Sequence, residues 1–196
     1  MSIGKRVREA LDRLAERDHE AALIPACIAI AASAEKAYPH LERDNEKYKL
    51  FLSENRDIIM DVALGLRMQE MSFKLTHDNI RRPKVRGMAT VEDILYHIVR
   101  SGLIHNAELD PSIHFGQSNA FELLDNKVVI PPEIVDGLLM AVIGSDCNRD
   151  ERLSGASYSL TFRQDDGNVQ IKIDNLWGQK VKLLEVLGNT KAKRTV

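Results

Sequence analysis

Arg100 and His105 stand five positions apart in the stretch "LYHIVRSGLIHNAEL", residues 95–109, with Gly102 between them. The two residue types suit phosphate chemistry. A guanidinium is always charged and grips two phosphate oxygens in a fork. A histidine near its ordinary pKa can both accept and donate a proton at neutral pH. RNA brings its own nucleophile, the 2′-hydroxyl. Such a site therefore needs a proton carrier and a cation for the charged transition state, with no metal and no cofactor. Ser101 follows the arginine and Asn106 follows the histidine, and both are secondary candidates; Asn106 also reads as the cap of a following turn. Upstream, "RRPKVRG" gathers Arg81, Arg82, Lys84 and Arg86. This cluster can take RNA backbone phosphates electrostatically, or simply stand in a solvated loop. Spacing alone does not make a site, since Arg13 and His19 in "RLAERDH" show a comparable interval on a charged helical face.

What must position Arg100 is a helix. Thr90 is a good N-cap, Glu92 and Asp93 suit a first turn, and Val91, Ile94, Leu95, Ile98 and Val99 form an apolar stripe. Beyond Arg100 the period fails. Residues five apart on an α-helix lie about 140° apart, so a straight helix would put Leu103 and Ile104 towards the polar side. The pattern predicts a change of direction at Ser101–Gly102, which would let Arg100 and His105 face one cleft.

The elements before this helix are helical too. A first helix covers about Ile3 to Arg17, with Val7, Leu11 and Leu14 on one stripe. A second, about Glu20 to Ala37, is almost free of charge and so predicts a central buried helix ended by Pro39. A third begins after Asp44, carries Tyr48, Phe51 and Leu52, bends or breaks near Ser53–Asn55 and runs on through "RDIIMDVALGLRMQE". Residues 74–89 form a basic loop that also holds His77 and Asp78. After residue 110 the pattern turns mixed. A short apolar run precedes Pro131-Pro132, a helix follows to about Ile143, and a final helix lies in "GQKVKLLEVLG". Tyr158, Leu160 and Phe162 alternate, then Val169, Ile171 and Ile173, with Asp166-Gly167 between: a β-hairpin. Ile113–Phe115 and Val128–Ile130 are candidates to extend it into a small sheet. The expected fold is α+β, mainly helical: a bundle over residues 1–110 and an α/β extension over 111–196 packed on it.

Composition narrows the function. With 44% apolar and 29% charged residues over 196 positions, the chain reads as an ordinary globular protein. A net charge of −2 gives no global pull towards nucleic acid or membrane, so any anion site must be local. The most apolar stretch, residues 21–34, is too short to span a bilayer, and the N-terminus lacks a signal-peptide core. Cys27 and Cys147 stand in no metal-ligand spacing and fit a reduced cytoplasmic protein. Trp177, the only tryptophan, reads as packing beneath the hairpin.

The segment "YHIVRSGLIHNAEL" resembles the signature of HEPN domains, in which an arginine is followed after four to six residues by a histidine near a helix junction. The words "RSGLIH" carry the likeness, and the preceding helices, with "EKAYPHLERDNEKYKLFL", are compatible with a HEPN-type bundle. The resemblance covers part of residues 20–110. It implies a helical, dimerising protein, in many members a metal-independent endoribonuclease and in others non-catalytic. Carried over, Arg100 would stabilise the scissile phosphate and His105 would act as general acid/base. A non-enzymatic dimeric interaction or regulatory protein is the other reading.

Overall fold

The structure is a computed structural model that describes residues 2–65, 72–75, 77, 80, 86–102, 109–117, 120–124, 127–153, 158–164 and 167–190. His105, Asn106, Arg81, Arg82, Lys84 and Asp78 lie outside the described residues.

The fold is α+β and mainly α. Helix α1 (Ile3–Ala15) turns its Ile3, Val7 and Ala10 face inward, and its charges face water. Helix α2 (His19–Ala37) is capped by Asp18, whose carboxylate accepts from the Ala21 amide at 2.9 Å. It is apolar on nearly every side and lies in the core, as its composition predicts. Helix α3 (Asp44–Glu54) and helix α4 (Arg56–Leu64) meet at Asn55, within the predicted bend; the Asn55 amide donates back to the Phe51 carbonyl at 2.8 Å. The rest of the expected run, residues 66–70, lies outside the described residues. The helix stops at Gly65, which takes a left-handed conformation (φ 67°) and bonds back to Asp61.

Strands β1 (Ser72–Phe73) and β2 (Ala89–Thr90) pair antiparallel and tie together the two ends of the basic segment. Strand β2 runs directly into α5, residues 91–102. Its first turn, Val91–Asp93, is α-helical and the next stretch, Ile94–Arg100, is π-helical.

Strands β3 (Ile113–Phe115), β4 (Glu122–Leu124) and β5 (Lys127–Ile130) form a mixed sheet in the order β3-β5-β4, with β3 parallel to β5. Strands β6 (Ser159–Gln164) and β7 (Gly167–Lys172) make the predicted hairpin, with Gln164 opposite Gly167. This register moves the two-residue connection one place upstream of the expected Asp166-Gly167. The expected single sheet is likewise corrected: the hairpin and the three-stranded sheet are separate. The run at 128–130 instead satisfies its edges with β3 and β4.

Helix α6 (Ile134–Gly144) is the second apolar centre and packs on α2 and α4; helix α7 (Lys180–Thr190) closes over α4 and α6. The buried apolar side chains of residues 3–187 form one contiguous core. Trp177 is buried, and its ring N–H donates to Asp174 at 3.2 Å. No helix of the described residues is long and apolar enough to cross a membrane.

Gly137 shows how tightly α4 and α6 meet. A Cβ built there would stand 2.6 Å from the Ile59 carbonyl oxygen, inside any real contact. Alanine is the better helix former, but here the two backbones would have to separate. Gly137→Ala is expected to lower stability by about 1–2 kcal/mol net, read as a shifted midpoint in urea unfolding.

Candidate functional site

Arg100 sits on α5, and the way α5 is held explains where its side chain goes. Thr90 and Asp93 make a reciprocal capping box. The Thr90 hydroxyl accepts from the Asp93 amide at 3.1 Å, and the Asp93 carboxylate accepts from the Thr90 amide at 3.2 Å. Three ion pairs then join α5 to α3 and α4 in antiparallel order. Arg56 donates to Glu92 through Nε and Nη2 at 2.8 and 2.6 Å. Lys49 meets Asp93 at 3.0 Å, and Asp44 meets Arg100 Nη2 at 2.8 Å. The signs reverse along the seam, with acids at the start of α5 and a base towards its far end. Glu92 and Asp93 are buried, and each is paired with a cation, Arg56 and Lys49. Burial opposes the charge on Asp93, but Lys49 and Thr90 together hold its carboxyl below the usual range.

The expected change of direction at Ser101–Gly102 is not seen within the described residues. Ser101 and Gly102 are still helical, so the chain does not break there. The Ser101 amide bonds to the Tyr96 carbonyl five residues back, and the Ser101 hydroxyl donates to the same oxygen at 3.2 Å. The π-turn widens the helix locally. It also occupies Ser101, which serves the backbone.

Around Arg100 the structure gathers groups that no sequence spacing relates. The guanidinium carbon lies 5.1 Å from the Tyr96 ring centre and 6.0 Å from that of Tyr48. Its Nη1 donates weakly to the Tyr96 hydroxyl at 3.5 Å. Arg100 Nε is buried and has no hydrogen-bond partner among the described residues. The Tyr48 hydroxyl, fully enclosed, finds no partner of good geometry either; the Cys27 thiol is its polar neighbour and offers a weak one at best. Burial pushes the Cys27 thiol up to about 11, so it stays protonated and inert at neutral pH. Burial also raises the Tyr96 phenol, against the pull of Arg100. His97, edge-on to Tyr96, is pushed below the ordinary histidine value by burial and by Lys49, with Asp93 opposing.

Of the sequence candidates, Arg100 and Ser101 are placed on one helix end, and Arg86 is exposed in a turn of the basic segment. Asp44 and the two tyrosines were not expected at this site. Asp44 reads as a first-turn acid of α3, which it also is, and nothing in the sequence links it to a residue 56 positions away.

A second polar cluster lies just past the motif segment. Ser112 donates its hydroxyl to Asp110 at 2.7 Å, and His77 Nε2 approaches Ser112 at 3.3 Å and Asp110 at 3.6 Å. The residue types are those of a nucleophilic triad. The arrangement is not, because the serine proton is directed at the carboxylate and the acid and serine share one ring nitrogen. Among the described residues, no three His, Cys, Asp or Glu side chains are grouped to hold a metal ion.

Fold and site together define an α+β protein, mainly helical, with a guanidinium, a carboxylate and a phenol clustered at the far end of its capped helix. The sequence places it further: the chain belongs to the Rv1289 family, whose family model matches residues 2–196. No curated protein matches the chain, and no solved structure does.

Proposed function

We propose that this chain is a HEPN-like, metal-independent endoribonuclease that works in the cytoplasm as a homodimer. In this reading Arg100 holds the scissile phosphate and balances its developing charge, and His105 moves the protons. Arg81, Arg82, Lys84 and Arg86 take neighbouring backbone phosphates, and Asn106 supports the histidine. No cofactor is needed, since the 2′-hydroxyl of the substrate is the nucleophile. One observation supports the reading most: Arg100 already holds an anionic group, the Asp44 carboxylate, at 2.8 Å, and a guanidinium pairs with phosphate oxygens in the same way. The test is cleavage of mixed-sequence RNA in EDTA. Wild type is expected to cut and Arg100→Ala to lose at least a hundredfold in rate. Equal rates in the two proteins would reject the assignment.

The engagement of Arg100 by Asp44 also favours a second reading, a non-catalytic dimeric interaction or regulatory protein. Both readings use the same dimer surface. A groove of about 840 Å³ runs between α1 and α2, with half-buried Ile24 and Ile28 on its floor and Arg6, Glu9, Arg13 and Glu16 on its rim. An apolar helix face edged by both signs of charge is self-complementary across a two-fold axis, which makes a second copy of the chain the fitting occupant. Ile28→Glu is expected to shift dimer to monomer by at least tenfold in dissociation constant, measured by sedimentation equilibrium. An unchanged dimer would place the interface elsewhere.

A further inference from the structure

Among the described residues, Asp44 supplies the carboxylate that pairs with Arg100. Arg100 Nη2 bonds to it at 2.8 Å. The two partners are held very differently. The Arg100 side chain is 17% exposed and packed against the Tyr96 and Tyr48 rings, so it has little freedom to leave. Asp44 is 48% exposed and reaches in from the first turn of α3. An ion pair half open to water is weakly held and screened by salt. Two enclosed polar atoms, Arg100 Nε and the Tyr48 hydroxyl, remain without good partners among the described residues while Asp44 is in place. Such groups are costly unless some state of the protein satisfies them.

We propose that Asp44 fills, in the unliganded chain, the place of a phosphodiester on Arg100, and that bound RNA displaces it. The site is built from Arg100 and Tyr96 over Tyr48, its ligand is a nucleic-acid phosphate, and Asp44 is the built-in competitor. This rests on the phosphate role assigned to Arg100 above. On displacement Arg100 keeps its stacking, Tyr96 donates to the incoming oxygen, and Asp44 swings to solvent, where carboxylates are well hydrated. The chain therefore binds phosphate below its intrinsic strength. A single free phosphate does not dislodge Asp44, whereas a polynucleotide backbone that presents many phosphates does.

The test uses the full chain and a fluorescein-labelled single strand of 2′-O-methyl RNA, which cannot be cleaved, read by anisotropy. Asp44→Asn is expected to tighten binding about tenfold. Asp57→Asn, which removes an exposed acid from the first turn of α4, should change binding less than twofold. In an Arg100→Gln background the gain from Asp44→Asn should vanish. Asp44→Ser carries the same expectation and serves if the asparagine variant melts early. A gain equal to that of Asp57→Asn, or one that persists without Arg100, overturns the proposal. If Arg100→Gln weakens binding and Asp44→Asn changes nothing, displacement alone fails. If Asp44→Asn tightens binding and no variant cleaves RNA, displacement stands and the nuclease reading fails.

Discussion

His105→Ala is expected to slow RNA cleavage in EDTA by roughly 10²–10⁴-fold, the range that a positioned general acid or base contributes. The proton of the 2′-hydroxyl must leave as that oxygen attacks phosphorus, and the departing 5′-oxygen must gain one. Arginine cannot do either at neutral pH, because its proton is not released. The assignment therefore divides the labour between the two motif residues. Losing His105 should reduce the single-turnover rate and leave the binding of uncleavable RNA within twofold. Losing Arg100 should weaken both. A His105→Ala protein that cleaves at the wild-type rate, or that loses binding and rate in parallel, would contradict this division.

Asn148→Ala is expected to be the most damaging small change for stability, at about 3 kcal/mol. Asn148 is fully buried beside α6. Its amide donates at 2.8 Å to both the Ser33 hydroxyl and the Val142 carbonyl, and Ser33 in turn donates to Ala29 at 2.8 Å. One side chain thus satisfies groups on α2 and α6 in the same place where the two apolar helices pack. Alanine would leave both acceptors unfilled and a void between them. For a chain of this size the loss corresponds to a fall of about 6–12 °C in Tm. Asn148→Asp should be worse, since it presents a carboxylate to two acceptors. A fall in Tm below 2 °C for the alanine variant would show that the network is not needed.

Much of this architecture was legible in the sequence because it is local. Thr90 announces its N-cap and Glu92 and Asp93 the first turn after it, the nearly charge-free α2 announces its burial, and the alternation about residues 158–173 announces the hairpin. The elements that were misread depend on longer range or on ambiguity. The stripe Val91, Ile94, Leu95, Ile98 and Val99 fits an α-turn and a π-turn almost equally, so the failing period beyond Arg100 suggested a break at Gly102 and not a wider helix. Gly65 ends α4 although apolar residues follow it, because a left-handed glycine outweighs the pattern. Strand β5 pairs with β3 and β4, and strand pattern alone does not say which edge a strand will choose. At the site, Arg100 was visible by type and context. Asp44 and Tyr48 were not, since an acid at a helix start and an aromatic on an apolar face both have ordinary local explanations.

The chemistry assigned to Arg100 and His105 is read most directly from the ends of the cleaved RNA. After incubation with wild type in EDTA, mass spectrometry should find 2′,3′-cyclic phosphate on the upstream fragment, the product of attack by the 2′-hydroxyl. The same RNA with a single 2′-deoxynucleotide at the scissile position should stay whole at that bond. Cleavage at the deoxy position, 3′-hydroxyl products, cutting that requires an added divalent cation, or no cutting of any RNA would contradict the account.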